Sequence, residues 1–155
     1  MQRHLRAANG VAQRALDAGH HPFGALLVGA DHETVLAEQG NIDTVNHAEA
    51  TLARTVASQY APEFLWACSL VTTFEPCAMC AGTAYWANIG RVVYGMEERH
   101  LLQLTGTDPQ NPTLDLPCRD VFAHGQKNIH VFGPVPEVEA EIAALHIGFW
   151  KRDPS

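Results

Sequence analysis

Two short motifs constrain this chain more than any other feature of its sequence. His47-Ala48-Glu49 is followed, thirty residues after His47, by Cys77-Ala78-Met79-Cys80, which a proline precedes. Zinc takes nitrogen and sulfur ligands in tetrahedral geometry, and a catalytic zinc site holds three protein ligands with the fourth position open for water. One histidine and two cysteines supply such a set. The sequence therefore predicts a fold that brings these two motifs side by side around Zn²⁺.

Each motif is weak alone, because a single C-x-x-C is also typical of redox or structural zinc sites and H-x-E by itself indicates little. Their occurrence together and in this order favours a catalytic site. A structural zinc site would need a fourth cysteine or histidine. Cys68 begins a predicted buried strand and Cys118 lies in a proline-rich loop. We therefore predict that both are ordinary free cysteines and that no disulfide framework forms.

The spacing of apolar residues predicts alternating helices and strands. The predicted helices cover residues 5–16, 47–59, 77–87 and 138–150, and the predicted strands cover residues 25–30, 34–38, 69–74, 91–95 and 129–132. Residues 97–127 are expected to be mostly loop, apart from a short helix near Leu101, because glycine and prolines interrupt them. This alternation predicts an α/β fold, a three-layer α/β/α sandwich around a mixed sheet.

Length and charge narrow the class of protein. The 155 residues suit a single domain, 1–155. The formal net charge is -7, and no basic run occurs apart from Lys151-Arg152, so a nucleic-acid partner is not expected. The first 19 residues contain no unbroken apolar stretch. We therefore expect no membrane association and a cytoplasmic location.

The two motifs also predict the roles of individual residues. A helix that starts near Pro76 would place Cys77 and Cys80 one turn apart at its N-terminus, where free N–H groups favour thiolates. A water that attacks from the open position of a zinc site must also give up protons, and a nearby carboxylate can carry them. Glu49, two residues after His47, is predicted to carry them as general acid/base and not to be a metal ligand.

The combined H-x-E and P-C-x-x-C pattern is the signature of zinc nucleobase deaminases. The chain resembles the cytidine-deaminase-like superfamily, in the branch that holds guanine deaminases, yeast-type cytosine deaminases and tRNA adenosine deaminases. The resemblance covers roughly residues 1–96 and rests on Pro22-Phe-Gly-Ala-Leu-Leu-Val28, Asn41, the two motifs, and Arg91-Val-Val-Tyr-Gly95. It implies a five-stranded mixed sheet, a Zn²⁺ cofactor and a homodimer.

The same resemblance implies substrate-binding residues. Asn41 would hydrogen-bond the substrate ring, and the backbone N–H of Ala48 would assist. Trp86, within Tyr85-Trp86-Ala87, is similar to the tryptophan that packs against the base in guanine deaminases. The alternatives are that Asn41 is a turn residue after Gly40 and that Trp86 is a core aromatic.

The chain departs from the family pattern in two regions. The loop between Asn41 and His47 is several residues shorter and lacks the usual D-P-T-A, which leaves the pocket shape open. After residue 96, the acidic proton-shuttling residue of guanine deaminases has Asp108 as its best-placed counterpart, with Glu97 or Asp115 as alternatives.

These observations predict hydrolytic deamination of a small aminated heterocycle, guanine or a related purine base first, because of Trp86 and the acidic charge. A tRNA adenosine deaminase is the second interpretation, since Ala81-Gly82 and residues 91–95 look like that group, and a cytosine or nucleoside deaminase is the third. A non-catalytic partner would typically lose Glu49. Phe149 and Trp150 either close the pocket or belong to the core.

Overall fold

The computed structural model describes residues 1–150, so Lys151 and Arg152 lie outside the described residues. The helices are α1 (Gln2–Asp17), α2 (Ala48–Ala57), α3 (Pro62–Trp66), α4 (Ala78–Trp86), α5 (Glu98–Thr105), α6 (Cys118–Ala123) and α7 (Pro136–Ala144). The strands are β1 (Gly24–Val28), β2 (Val35–Gly40), β3 (Ser69–Phe74), β4 (Arg91–Met96) and β5 (His130–Phe132). Within residues 1–150, no helix combines the length and apolar character needed to cross a membrane.

The five strands form one mixed sheet in the order β2-β1-β3-β4-β5. Strand β1 runs antiparallel to β2 and β3, whereas β3, β4 and β5 are parallel. The sheet confirms the predicted five-stranded mixed arrangement.

Successive residues of a strand point to opposite faces of the sheet, and both faces are apolar here. Leu70 and Val92 pack in one hydrophobic cluster with residues of α2, α3, α4 and α6. Val71 and Val93 pack in a second cluster with residues of α1, α5 and α7. The prediction of a three-layer α/β/α sandwich is therefore confirmed.

The parallel strands β3 and β4 end side by side. The residues of the second motif follow the end of β3. Phe74, at the end of β3, pairs with Met96 at the end of β4. Glu75 and Cys77 follow the first strand, and Glu98 follows the second. Open α/β sheets bind ligands at the carboxyl ends of their strands, which makes this edge the place to look for a site.

Two local predictions are wrong, and one helix was not predicted. Pro117 was expected to lie in a loop but is the N-cap of α6, and the unpredicted helix is α3, which begins at Pro62. Proline is tolerated at a helix start, where its missing N–H would have no intrahelical partner. The last helix was predicted to reach Trp150, yet α7 ends at Ala144, and Gly148 has a φ of 78° that no right-handed helix adopts.

Candidate metal and active site

The structure brings the three predicted metal ligands together. His47 is the N-cap of α2, Cys77 is the N-cap of α4, and Cys80 lies in the first turn of α4. The Nδ1 atom of His47 is 3.6 Å from the Sγ atom of Cys77 and 3.6 Å from that of Cys80. The ligand atoms of the three residues all lie within 4.8 Å of one another. Two helix N-termini, on segments distant in sequence, thus form one cluster.

The spacing of this cluster fits zinc. A tetrahedral ion with Zn–N bonds of about 2.0–2.1 Å and Zn–S bonds of about 2.3 Å separates its nitrogen and sulfur ligands by about 3.6 Å. Both nitrogen-to-sulfur distances have this value. One imidazole and two thiols are also the ligand set of a zinc site with an open fourth position.

The two cysteines favour a thiolate before any ion binds. The pKa of Cys77 is lowered to about 4, first by the hydrogen bond with Cys80 and then by that with His47. Correspondingly, the hydrogen bond with Cys77 and burial raise the pKa of Cys80. The hydrogen bond with Cys77 is also the largest cause of the raised pKa of His47. The thiol pair therefore holds one proton less than two neutral cysteines would.

Glu49 lies beside the ligand cluster, in the first turn of α2. Its carboxyl group is buried, one oxygen accepts a 2.7 Å hydrogen bond from the Thr72 hydroxyl, and the other lies 3.7 Å from the Sγ atom of Cys80. Burial raises the pKa of Glu49 above its ordinary value. A raised carboxyl pKa suits a group that must both accept and donate protons near neutral pH. Ala48, also fully buried, carries one of the N–H groups of this first turn, which lack intrahelical partners.

A cavity of about 380 Å³ opens in front of this cluster, a volume within the range of small-molecule sites. Its lining includes His47, Glu49, Cys77, Asn41, two phenylalanines and the segment 110–114. The Nδ2 atom of Asn41 donates to the carbonyl of Asp43 at 3.2 Å, whereas its Oδ1 atom is buried and has no partner. Asn41 thus stabilises the turn and still presents a free acceptor.

Trp86 does not lie with these residues. It is the last residue of α4, 81% exposed, and is not part of the cavity lining. At 1.5 Å per residue, it lies roughly 13 Å along the helix from Cys77. Its ring contacts the edge of Tyr85 and has the Lys127 ammonium 5.8 Å from its centre. Within one chain, Trp86 therefore neither lines the cavity nor lies in the core, and both interpretations of this residue are wrong.

The acidic residues proposed after residue 96 also lie outside the cavity lining. Asp108 uses its carboxylate in a turn, where it accepts from the N–H of Gln110 at 2.9 Å. Asp115 forms an exposed 2.7 Å ion pair with Arg99, and Glu97 is the N-cap of α5. The carboxyl group from this region that does line the cavity is that of Glu98, which the sequence analysis missed.

The aromatic wall of the cavity is formed by Phe23 and Phe74, whose ring centres are 5.8 Å apart in an edge-to-face arrangement. Trp150 is buried behind them, with its ring 6.1 Å from Phe23 and its Nε1 atom donating to His146 at 3.0 Å. The core alternative for Trp150 thus agrees with its position, and Phe149 packs edge-on against it. The position of Phe74, three residues before Cys77, was the signal available in the sequence.

Glu75, which lies two residues before Cys77, binds the starts of two helices, α5 and α6. One of its carboxylate oxygens accepts from the N–H of Glu98 at 3.1 Å, at the start of α5. The other accepts from the N–H of Cys118 at 3.0 Å, at the start of α6. A carboxylate is stabilised at the positive end of a helix, and here one carboxylate serves two helices. The residue two positions before Cys77 therefore fixes where α5 and α6 begin relative to the ligand cluster.

Comparison with known families places this geometry in context. The family model of the cytidine and deoxycytidylate deaminase zinc-binding region matches residues 1–96, which include His47, Glu49, Cys77 and Cys80. This match covers more than half of the 155 residues.

Individual relatives differ in the substrates that their names give. A probable cytosine deaminase of Schizosaccharomyces pombe is 34% identical over 150 residues, covering 95% of this chain and 90% of that protein. The guanine deaminase of Bacillus subtilis is 37% identical over 98 residues, covering 60% of this chain and 62% of that protein. A solved structure from studies of A-to-I editing by tRNA:A34 deaminases at the wobble position of transfer RNA has a TM-score of 0.68 and 25% identity over 94% of this chain and 99% of that one.

Proposed function

Because the chain belongs to the family of the cytidine and deoxycytidylate deaminase zinc-binding region, and the two relatives described above are a probable cytosine deaminase and a guanine deaminase, we propose that it deaminates a small free nucleobase by hydrolysis, with guanine as the first candidate. The observation that carries the proposal is the cavity of about 380 Å³ in which His47, Cys77, Glu49 and Asn41 meet. Such a cavity holds one ring system and leaves room for the reacting groups on one side.

In this proposal, His47, Cys77 and Cys80 hold the zinc ion. A bound zinc ion lowers the pKa of water and polarises the reacting group. Glu49 would take one proton from the attacking water and pass it to a ring nitrogen, then take the second proton from the hydroxyl now on the carbon and pass it to the amino group. The C–N bond breaks as the C=O bond forms, and the amine leaves as ammonia. Thr72 holds the Glu49 carboxyl in place through their 2.7 Å hydrogen bond. The free Oδ1 atom of Asn41 accepts a hydrogen bond from a ring N–H, with the N–H of Ala48 assisting.

Two bases compete for the role of substrate. Guanine is supported by the 37% identical guanine deaminase, although that match spans less than two thirds of that protein. Cytosine is the second candidate, because the probable cytosine deaminase matches nearly the whole chain. The ring of either base would pack against Phe23 and Phe74, which replace Trp86 as the aromatic wall of the proposal.

Transfer RNA is the less favoured substrate. A tRNA enzyme needs lysines and arginines that replace counterions on the phosphate backbone, whereas this chain has 10 basic and 17 acidic residues. The segment 110–114 also forms one side of the cavity. The similarity to the tRNA:A34 deaminase structure keeps adenosine in an anticodon stem as a comparison substrate.

The test is ammonia release by the zinc-loaded protein from guanine, cytosine, adenine, guanosine, cytidine and a tRNA anticodon stem-loop. We expect turnover of guanine above all, with Glu49→Gln as the inactive control and Glu33→Gln, an exposed glutamate, as the matched active control. Turnover of cytosine alone would replace the first candidate by the second. Conversion of adenosine in the stem-loop with no activity on any free base would refute the proposal.

A homodimer is the second part of the proposal. Trp86 is 81% exposed, and large aromatic side chains are enriched in protein interfaces. Light scattering after size exclusion should give twice the mass of the 16.9 kDa chain. The variant Trp86→Glu should shift this mass toward that of the monomer, whereas Trp66→Glu, at the less exposed tryptophan of α3, is the matched comparison.

A further inference from the structure

The proposed mechanism leaves one carboxyl group of the cavity without a role. Glu98, the first residue of α5, lines the same cavity as Asn41 and Glu49 but is only 3% exposed. Its backbone N–H is bound to Glu75, whereas its side-chain Oε2 atom is buried and has no hydrogen-bond partner. An unpaired buried polar atom costs free energy that a ligand can recover by hydrogen bonding to it.

We propose that the Glu98 carboxyl group hydrogen-bonds to the substrate and selects rings that carry a lactam edge, which is a ring N–H beside a ring C=O. The inference rests on the proposed function, and it narrows that function from any free nucleobase to a chemical subclass. Glu98 is thus a specificity-determining residue, distinct from the proton-transferring Glu49.

The chemistry of a buried carboxyl group supports this choice. Burial raises the pKa of Glu98 to about 9, and the negative charges of Cys77, Glu75, Glu49 and Asp115 act in the same direction. An uncharged carboxyl presents one O–H donor and one C=O acceptor side by side. A lactam edge presents an acceptor and a donor at matching positions. The two groups therefore form a pair of hydrogen bonds, whereas an edge whose carbon carries only hydrogen leaves one group of the carboxyl unpaired. An amidine edge could also form two hydrogen bonds, but the amidine of a substrate carries the amino group that reacts at the ligand cluster, and so it is not the edge that faces Glu98.

Asn41 places a second requirement on the substrate ring. Its Oδ1 atom, like Oε2 of Glu98, is a buried side-chain oxygen of the cavity lining that has no partner, and an amide oxygen only accepts hydrogen bonds. The ring must therefore offer an N–H to Asn41 as well as a lactam edge to Glu98. Guanine offers both, whereas free cytosine has a single ring N–H, which can bind Glu98 as part of the lactam edge or Asn41, but not both. Adenine has no ring carbonyl, and in cytidine the ribose replaces the lactam hydrogen.

The experiment compares a lactam base with the same ring lacking that edge. Guanine is paired with 2-aminopurine or, if cytosine is the active base, cytosine is paired with 4-aminopyrimidine. In Glu98→Leu, loss of two hydrogen bonds should lower kcat/KM for the lactam base by about 30-fold, mainly through KM, while the paired ring changes by less than about threefold. In Glu98→Gln, whose amide keeps one donor and one acceptor, kcat/KM should stay within about fivefold of wild type.

Glu137→Leu is the matched control, because it also removes a carboxylate from the first turn of a helix, α7, but at an exposed position outside the cavity lining. It should leave both rings unaffected. If Glu98→Leu does not yield folded, zinc-loaded protein, Glu98→Met is measured in its place.

Three results overturn the inference. In the first, removing the carboxyl changes both rings equally or not at all. In the second, Glu98→Gln loses as much activity as Glu98→Leu, which would point to charge and not to paired hydrogen bonds. In the third, the wild-type protein turns over no base, and then the proposed function fails together with the inference. Activity of the wild type combined with an insensitive Glu98→Leu refutes the inference alone.

Discussion

Replacing Thr72 by valine tests the link between the sheet and the proton-transferring group. Thr72 lies on β3, is fully buried, and donates a 2.7 Å hydrogen bond to Glu49. Valine has nearly the same shape but cannot donate. The change therefore removes one hydrogen bond without opening a cavity, and it leaves His47, Cys77 and Cys80 untouched.

The expected shift of the pH profile in Thr72→Val depends on the charge of the acceptor, the Glu49 carboxylate. The hydrogen bond from Thr72 favours the ionised form of Glu49 and so opposes the rise in pKa that burial causes. A hydrogen bond to a charged group contributes about 1.5–3 kcal/mol, which corresponds to about 1–2 pKa units. Its loss raises the pKa of Glu49 further. The acidic limb of the kcat/KM profile should move up by about 1–2 pH units, with a loss of about 10–100-fold below that limb.

The assay is ammonia release measured from about pH 5 to about pH 9, together with zinc content and thermal unfolding. Thr73→Val is the matched control, because Thr73 is equally buried, is the next residue of the same strand, and has only a long 3.5 Å contact from the N–H of Gly24. The reasoning is refuted if Thr72→Val has the wild-type pH profile, or if Thr73→Val shifts that profile by the same amount.

Three further predictions concern the metal, the proton carrier and the C-terminal core. The double variant Cys77→Ala/Cys80→Ala should purify without zinc, and metal analysis that finds the wild-type content would rule out the ligand assignment. Glu49→Gln should keep zinc and fold but lose about 100-fold or more in kcat, and a variant within about threefold of wild type contradicts its role. His146 is buried, and burial lowers its pKa to about 4. Because the unfolded chain then binds a proton that the folded protein does not, the free energy of unfolding should fall by about 3 kcal/mol as the pH falls from about 6.5 to about 4. In His146→Phe, denaturant titrations at several pH values should show a flatter dependence, and an unchanged slope would exclude this cause.

The elements with strong periodic or β-branched patterns were predictable from the sequence. The β1–β2 hairpin, α1, α2 and the unit from β3 to β4 agree with the predicted segments to within a few residues. Helices α3 and α6 were not predictable, because each begins at or just after a proline. A proline indicates the end of a helix when its position within the helix is not known. The end of α7 was overestimated, because His146 and Phe149 continue the apolar spacing after the helix has ended at Ala144.

The ligand cluster follows from residue types, whereas the cavity wall depends on tertiary placement. Histidine and cysteine have few roles at such spacing, and so the motifs alone indicate the cluster. Trp86 shows the limit of local similarity, since its distance along α4 and its exposure become visible only in the fold. Glu98 was missed for the opposite reason. A glutamate at a helix start is usually solvated, and only the packing of α5 against the cavity makes this one buried.

The two hydrogen bonds of Glu75 affect how the segment after residue 96 can evolve by substitution. They join the part of the chain that carries the ligand cluster to the segment after residue 96, which lies beyond the match to the family model. Both bonds end on backbone N–H groups, which every residue except proline offers. The side chain at position 98 therefore takes no part in these two bonds. Point substitutions in that segment can therefore change substrate specificity, while the hydrogen bonds to Glu75 continue to hold the segment beside the ligand cluster.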